Sequence, residues 1–150
     1  MARAFRSDRS WRFDVTTDVL WDHICDTGSY RTWWPWLRRF DASDGLAVAT
    51  TWRCEVSPPL PYVVRFEIHH DLVDPARIVE SSVRGDIGGT ARLTIDPDGD
   101  GCTARLVSHL APTNPILRTF GTVARPMVER GHDWVLDVGR RQFVERAMGE

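Results

Sequence analysis

Five histidines, three cysteines and no lysine define the chemistry open to this chain of 150 residues. All nineteen basic residues are arginine, which excludes a lysine Schiff base, a P-loop lysine and a lysine general base. His69 and His70 stand together in YVVRFEIHHDL, a stretch that alternates apolar and polar residues as a half-buried strand does. Neighbouring strand residues point to opposite faces, so the pair cannot clamp one metal ion. His70 shares the face of Tyr62, Val64, Phe66 and Ile68, assigned here as the inner one, and His69 faces solvent. An imidazole on that face can orient a ligand carbonyl or serve as general base, since its unperturbed pKa lies near neutrality. A hydrogen-bonded histidine near a strand end is the structural alternative. No catalytic residue is assigned; His70 is the candidate.

The other polar residues are weaker candidates. His132 borders the apolar stripe of a C-terminal helix, where it either makes a flanking hydrogen bond or lines a cavity. Ser108 points inward with Ala104 and Leu106, opposite Arg105, Val107 and His109. Glu80, Ser82 and Arg84 share one strand face. Outward they form a solvated stripe; inward Glu80 and Arg84 form a buried acid–base pair, and a one-residue slip in register exchanges the two. No H-E-x-x-H, H-x-x-x-H or paired Cys/His spacing occurs, so no metal site is expected, and no cofactor. GDIGG leads into a strand and lacks the G-x-G-x-x-G spacing of a phosphate loop. No G-x-S-x-G nucleophile elbow is present.

Aromatic residues carry the other signal. YRTWWPWL gathers Trp33, Trp34 and Trp36 around Pro35, three of the chain's seven tryptophans. A membrane anchor would add a basic amphipathic face, and a nucleic-acid stacking platform a basic field. The net charge is −2, so no field recruits nucleic acid or an acidic membrane, and no run approaches the ~18 apolar residues that an integral membrane association needs. Two readings remain: the corner of a core, or the wall of a cavity with one or two of the rings turned inward.

The elements that must position these residues follow from periodicity. SWRFDV alternates as a strand. TTDVLWDHICD reads as a helix capped by Thr16 or Thr17, with Val19, Leu20, His23 and Ile24 as its stripe, and a second short helix ends before Pro35. Between Val48 and Leu110 strands recur at short intervals, separated by SPPLP, DPAR, GDIGG and DPDGDG, which describes an antiparallel meander. The period then returns to 3.6. Phe120, Val123, Met127, Val128, Gly131, Trp134, Val135 and Val138 form one face of a helix of about 25 residues. That face needs a large apolar partner, and the inner face of the meander supplies it. Hydrophobic residues at 42% and charged residues at 27% suit one domain over residues 1–150. Cys25, Cys54 and Cys102 read as buried thiols of a reducing compartment. With no apolar leader or membrane span, a cytoplasmic location is expected.

The order is strand, two short helices, five or six antiparallel strands and a long helix. With YRTWWPWL, GDIGGTARLTI, CTARLVSHLAP and RPMVERGHDWVLDVG in sequence, the chain resembles the polyketide cyclase/dehydrase-like branch of the START-like (SRPBCC) superfamily over about 130 residues. The resemblance implies an α+β helix-grip fold: a curved antiparallel sheet of about seven strands around the C-terminal helix, with two short helices after the first strand. It also implies a deep pocket for an apolar or aromatic, lipid- or polyketide-like molecule. The inward faces read above supply the candidate ligand-binding residues: Trp33, Trp34, Trp52, Val64, Phe66, Ile68, His70, Ser108, Met127, Val128, His132 and Val135. Three functions are open: a binding protein for such a ligand, a cyclase/dehydratase of aromatase type with His70 as base, and a protein-interaction module like the ubiquinone-binding members. The apolar inner faces and the scarcity of convergent catalytic groups favour binding.

Overall fold

The computed structural model describes residues 5–58, 62–113 and 124–149, with side chains of the last segment from Glu129 onward. β1 (Phe5–Phe13) alternates as its sequence dictates, with Phe5, Ser7 and Phe13 buried and Arg6, Asp8 and Arg12 exposed. α1 (Thr17–Cys25) is capped by Thr16, whose side-chain oxygen accepts from the Val19 N–H at 3.3 Å. Its buried edge is narrower than the expected stripe: Leu20 is buried and Ile24 packs beside it, but Val19 is 42% exposed. A nine-residue helix at the rim of a sheet rests on one line of side chains. Cys25, the last residue of α1, lies off that line and is exposed, contrary to the expectation of three buried thiols; Cys54 and Cys102 are buried. A 3-10 turn leads into α2 (Tyr30–Trp33), which ends ahead of Pro35.

β2 (Leu37–Asp41), β3 (Thr51–Val56), β4 (Val64–Asp74), β5 (Ile78–Gly85), β6 (Ile87–Asp98) and β7 (Gly101–Pro112) complete one sheet. Its order is β1-β7-β6-β5-β4-β3-β2, antiparallel throughout. β5 resolves the register question: Val79, Ser81 and Val83 are buried, while Glu80, Ser82 and Arg84 lie on the outer face. Glu80 there pairs with Arg92 at 3.2 Å. Curvature needs close backbone approach. At Gly89 φ is +147°, and an added Cβ would lie 1.8 Å from the His109 carbonyl oxygen, so only glycine lets β6 pass β7 there.

α3 (Ala124–Phe143) runs across the concave face and ends in a π-type turn, Val144–Met148. The helix counts 20 residues and the turn 5 more, in keeping with the expected length. Gly131, Gly139 and Phe143 are buried on it, with Val135 packed against the core. Trp134, expected on the stripe, is half-buried at the helix flank, edge-on to Trp36 at 6.3 Å between centroids. Phe120 and Val123 fall outside the described residues, as do the side chains of Met127 and Val128. Arg9 of β1 fastens the other flank, reaching Asp133 at 3.1 Å and Asp137 at 3.0 Å. The core divides in two: a large aromatic cluster around Phe13, Tyr30, Trp33, Trp52 and Phe143, and a small one of Phe5, Val64, Val83, Ile87 and Leu110. This is the α+β helix-grip architecture, a curled seven-stranded half-barrel holding a long C-terminal helix.

Candidate functional site: a cavity between sheet and helix

The two core clusters do not fill the concave face. Between the sheet and α3 lies a cavity of about 360 Å³. Its walls are mainly aromatic and aliphatic, including Trp11, Tyr30, Trp52, Leu93, Val135 and Phe143, and its polar side chains are His70, Ser81 and Arg140. Of the candidate residues read from sequence, Trp34, Trp52, Ile68, His70 and Val135 line it. Trp33 does not: it is 5% exposed, packed edge-on to Phe143 within the core. Val64 belongs to the small cluster, and Phe66 packs against both clusters. Ser108 and His132 lie beyond the lining residues, and Met127 and Val128 lie outside the described side chains.

Trp34 and Trp36 line the cavity, and hydrogen bonds to α3 hold them there. Trp34 Nε1 donates to the Gly139 carbonyl at 2.9 Å, and Trp36 Nε1 to Gln142 Oε1 at 2.8 Å. Arg146 donates to the Trp33 carbonyl at 2.8 Å. The Trp34 and Trp36 rings stack with centroids 5.7 Å apart. A Cβ on Gly139 would come within 3.2 Å of Trp36 Cζ2, so glycine makes room for the indole. Trp33 is therefore the core corner, while Trp34 and Trp36 are cavity wall. Trp36 is absent from the residues expected to bind ligand, because Pro35 interrupts any period that would place it.

His70 is 3% exposed, edge-on to Trp52 with centroids 4.3 Å apart. Its Nδ1 lies 2.8 Å from Ser81 Oγ, and its Nε2 is buried with no partner. Burial pushes its pKa down to about 4, with His69 pushing the same way, so the ring is neutral at physiological pH. Ser81 fixes the options at Nε2. If the hydroxyl donates to Nδ1, Nε2 carries the proton and donates; in the other tautomer Nε2 accepts. Sequence reasoning missed Ser81 as the partner. The β4–β5 ladder shifts register between His70 and Leu72, and this bulge brings Ser81, rather than outward-facing Ser82, opposite His70.

A second buried polar group lies farther across the sheet. Ser108 Oγ is 3.5 Å from His132 Nε2, and His132 packs edge-on to Phe5 at 5.5 Å. Burial lowers the His132 pKa as well. Elsewhere, a wider hollow of about 650 Å³ spans charged residues of β2 to β5. Its charges largely satisfy one another: Arg53 meets Glu67 at 3.1 Å, and Glu55 meets both Arg39 and Arg65 at 3.4 Å. Exposed pairs of this kind leave little field for a ligand. Among the described residues no helix is long and apolar enough to cross a membrane, and no three metal-ligating side chains gather.

Solved structures with this fold are distant in sequence. A protein from Thermus thermophilus superposes with a TM-score of 0.74 at 16% identity, covering 97% of each chain. A START superfamily protein from Mycobacterium smegmatis gives 0.71 at 15% identity, covering 94% of this chain and 95% of its own. A Staphylococcus aureus protein of unknown function gives 0.68 at 8% identity, covering 99% and 98%. Such identities speak for the fold alone. Curated proteins give no significant match. The family model described as polyketide cyclase / dehydrase and lipid transport matches residues 4–139, nearly the whole length. The chain belongs to that polyketide cyclase/dehydrase and lipid transport family.

Proposed function

We propose that this protein binds an apolar or aromatic small molecule, lipid- or polyketide-like, in the cavity between the sheet and α3, as a carrier or sensor. One observation carries the reading: a cavity of about 360 Å³ walled by indole, phenyl and aliphatic groups, with so few polar side chains. Apolar burial at about 25 cal/mol per Å² supplies affinity there, and a few hydrogen bonds supply orientation. Trp34, Trp52, Ile68 and Val135 make the apolar contacts, and His70 is the orienting group. Net charge −2 and ion-paired outer arginines support a small-molecule partner over nucleic acid. Three free cysteines fit a cytoplasmic setting.

The His70–Ser81 pair gives a second reading, a cyclase/dehydratase with His70 as base. A base with pKa near 4 is weak, since efficient general bases titrate near the working pH, and among the described residues no carboxylate lines the cavity. Binding is the better account. Native mass spectrometry of freshly purified protein should detect a small-molecule adduct that is lost on denaturation. No adduct, together with no saturable quenching of tryptophan fluorescence by 2-naphthol, would remove the binding reading. Turnover of a polyketide-like chain falling ~10²-fold in His70→Phe would establish the enzyme instead.

A further inference from the structure

Three side-chain polar atoms are buried without a partner among the described residues: Ser7 Oγ, His70 Nε2 and His132 Nδ1. Folded interiors leave few such atoms, and each calls for an explanation. These three are not scattered. His70 pairs with Ser81, Ser81 with Ala91, Ala91 with Ser108 and Ser108 with Ser7, so one transverse row crosses five strands. His132 stands over the far end of that row, against Ser108. The flanking rows are apolar there: Ile68 with Val83 on one side, and Val79, Leu93 and Leu106 on the other. Packing alone does not call for hydroxyls and imidazoles between them, because unpaired buried polar groups are costly.

We propose that Ser7, Ser108 and His132 form a second hydrogen-bonding subsite across the row from His70, so that the ligand is an elongated apolar molecule with an oxygen function at each end. The proposal rests on the cavity reading above. His70, Ser81 and Ala91 line the cavity, and Ala91, a small residue, is the one that separates its lining from Ser108 along the row. Strand spacing places β4 and β7 about 14 Å apart along the sheet, and inward side chains on a concave face bring the polar tips closer than that. The span suits two or three rings in line. Burial holds both imidazoles in the neutral form, so the matching ligand groups are hydroxyls or carbonyls and not carboxylates.

Calorimetric titration of the full chain with trans-stilbene, 4-hydroxystilbene and 4,4′-dihydroxystilbene tests this. The two-ended probe should bind about 5-fold more tightly than the one-ended one, the worth of one net hydrogen bond. The Ser7→Ala/Ser108→Ala double variant should remove that advantage. Equal affinity of the two hydroxylated probes for the wild type overturns the second subsite while the cavity stands, and needs no variant. An advantage that survives in the double variant overturns it equally. Failure of all three probes to bind overturns the cavity reading and the subsite with it.

Discussion

At His70, one buried ring couples site chemistry to stability. An unfolded histidine titrates near 6.5, whereas burial lowers the folded value to about 4. Above pH 6.5 the ring is neutral in both states and its contribution is fully present. As the pH falls from 6.5 toward 4, the unfolded chain takes up a proton that the folded one refuses, so stability is lost, by about 3 kcal/mol over the window. Below 4 the folded ring protonates too and the loss levels off. Urea unfolding at pH 7.5 and pH 4.5 should therefore show a smaller loss in His70→Phe than in the wild type. Some loss stays, because His132 is shifted in the same direction. Equal losses in the two proteins would mean that the His70 ring is solvated. The inward placement of His70 was legible from alternation in YVVRFEIHHDL, but its bond to Ser81 was not, since a bulge between two residues leaves no periodic trace.

The junction of α2 and β2 with α3 shows the same limit at the level of elements. Strands with clean alternation, and the long helix, could be read from period alone. β2 could not: its register shifts between Leu37 and Arg39, so both Arg38 and Arg39 are exposed and LRRFD does not alternate. The resemblance, not the pattern, supplied the seventh strand. The contact that seats Trp34 and Trp36 on α3 likewise depends on a missing side chain at Gly139. In an isolated helix, glycine to alanine stabilises by about 1 kcal/mol. Here the new methyl would meet Trp36 at 3.2 Å, and that indole is stacked on Trp34 and bonded to Gln142, so it cannot retreat freely. Crowding of a packed core costs roughly 1–3 kcal/mol and should outweigh propensity. Gly139→Ala is expected to lower stability by about 1 kcal/mol in urea unfolding. A gain would show that Trp36 shifts without cost and that this wall of the cavity is soft.

For the molecule as a whole, element order and the facing of most strands were legible because burial imposes periods of 2 and 3.6 on the sequence. The size of the cavity was not, because its volume depends on how far α3 stands off the sheet. That distance is set by contacts remote in sequence: Trp34 with Gly139, Trp36 with Gln142, and Arg9 with Asp133 and Asp137. A cavity of this kind makes stability depend on its occupant. A ligand that binds only the folded state adds RT ln(1 + [L]/Kd), about 2.7 kcal/mol at a hundredfold excess over Kd. For a chain of this length each kcal/mol raises Tm by roughly 2–4 °C, so 2-naphthol at that excess should raise Tm by roughly 5–10 °C. Specificity is tested by filling the space. Ala91 lines the cavity from the middle of the sheet, and Ala91→Phe places a ring where the probe would lie. That variant should fold, lose the probe-dependent shift and leave the wild-type shift as the measure of the empty volume. An equal shift in Ala91→Phe would place the probe outside the sheet–helix cavity, and no shift in either protein would leave the cavity without a ligand of this class.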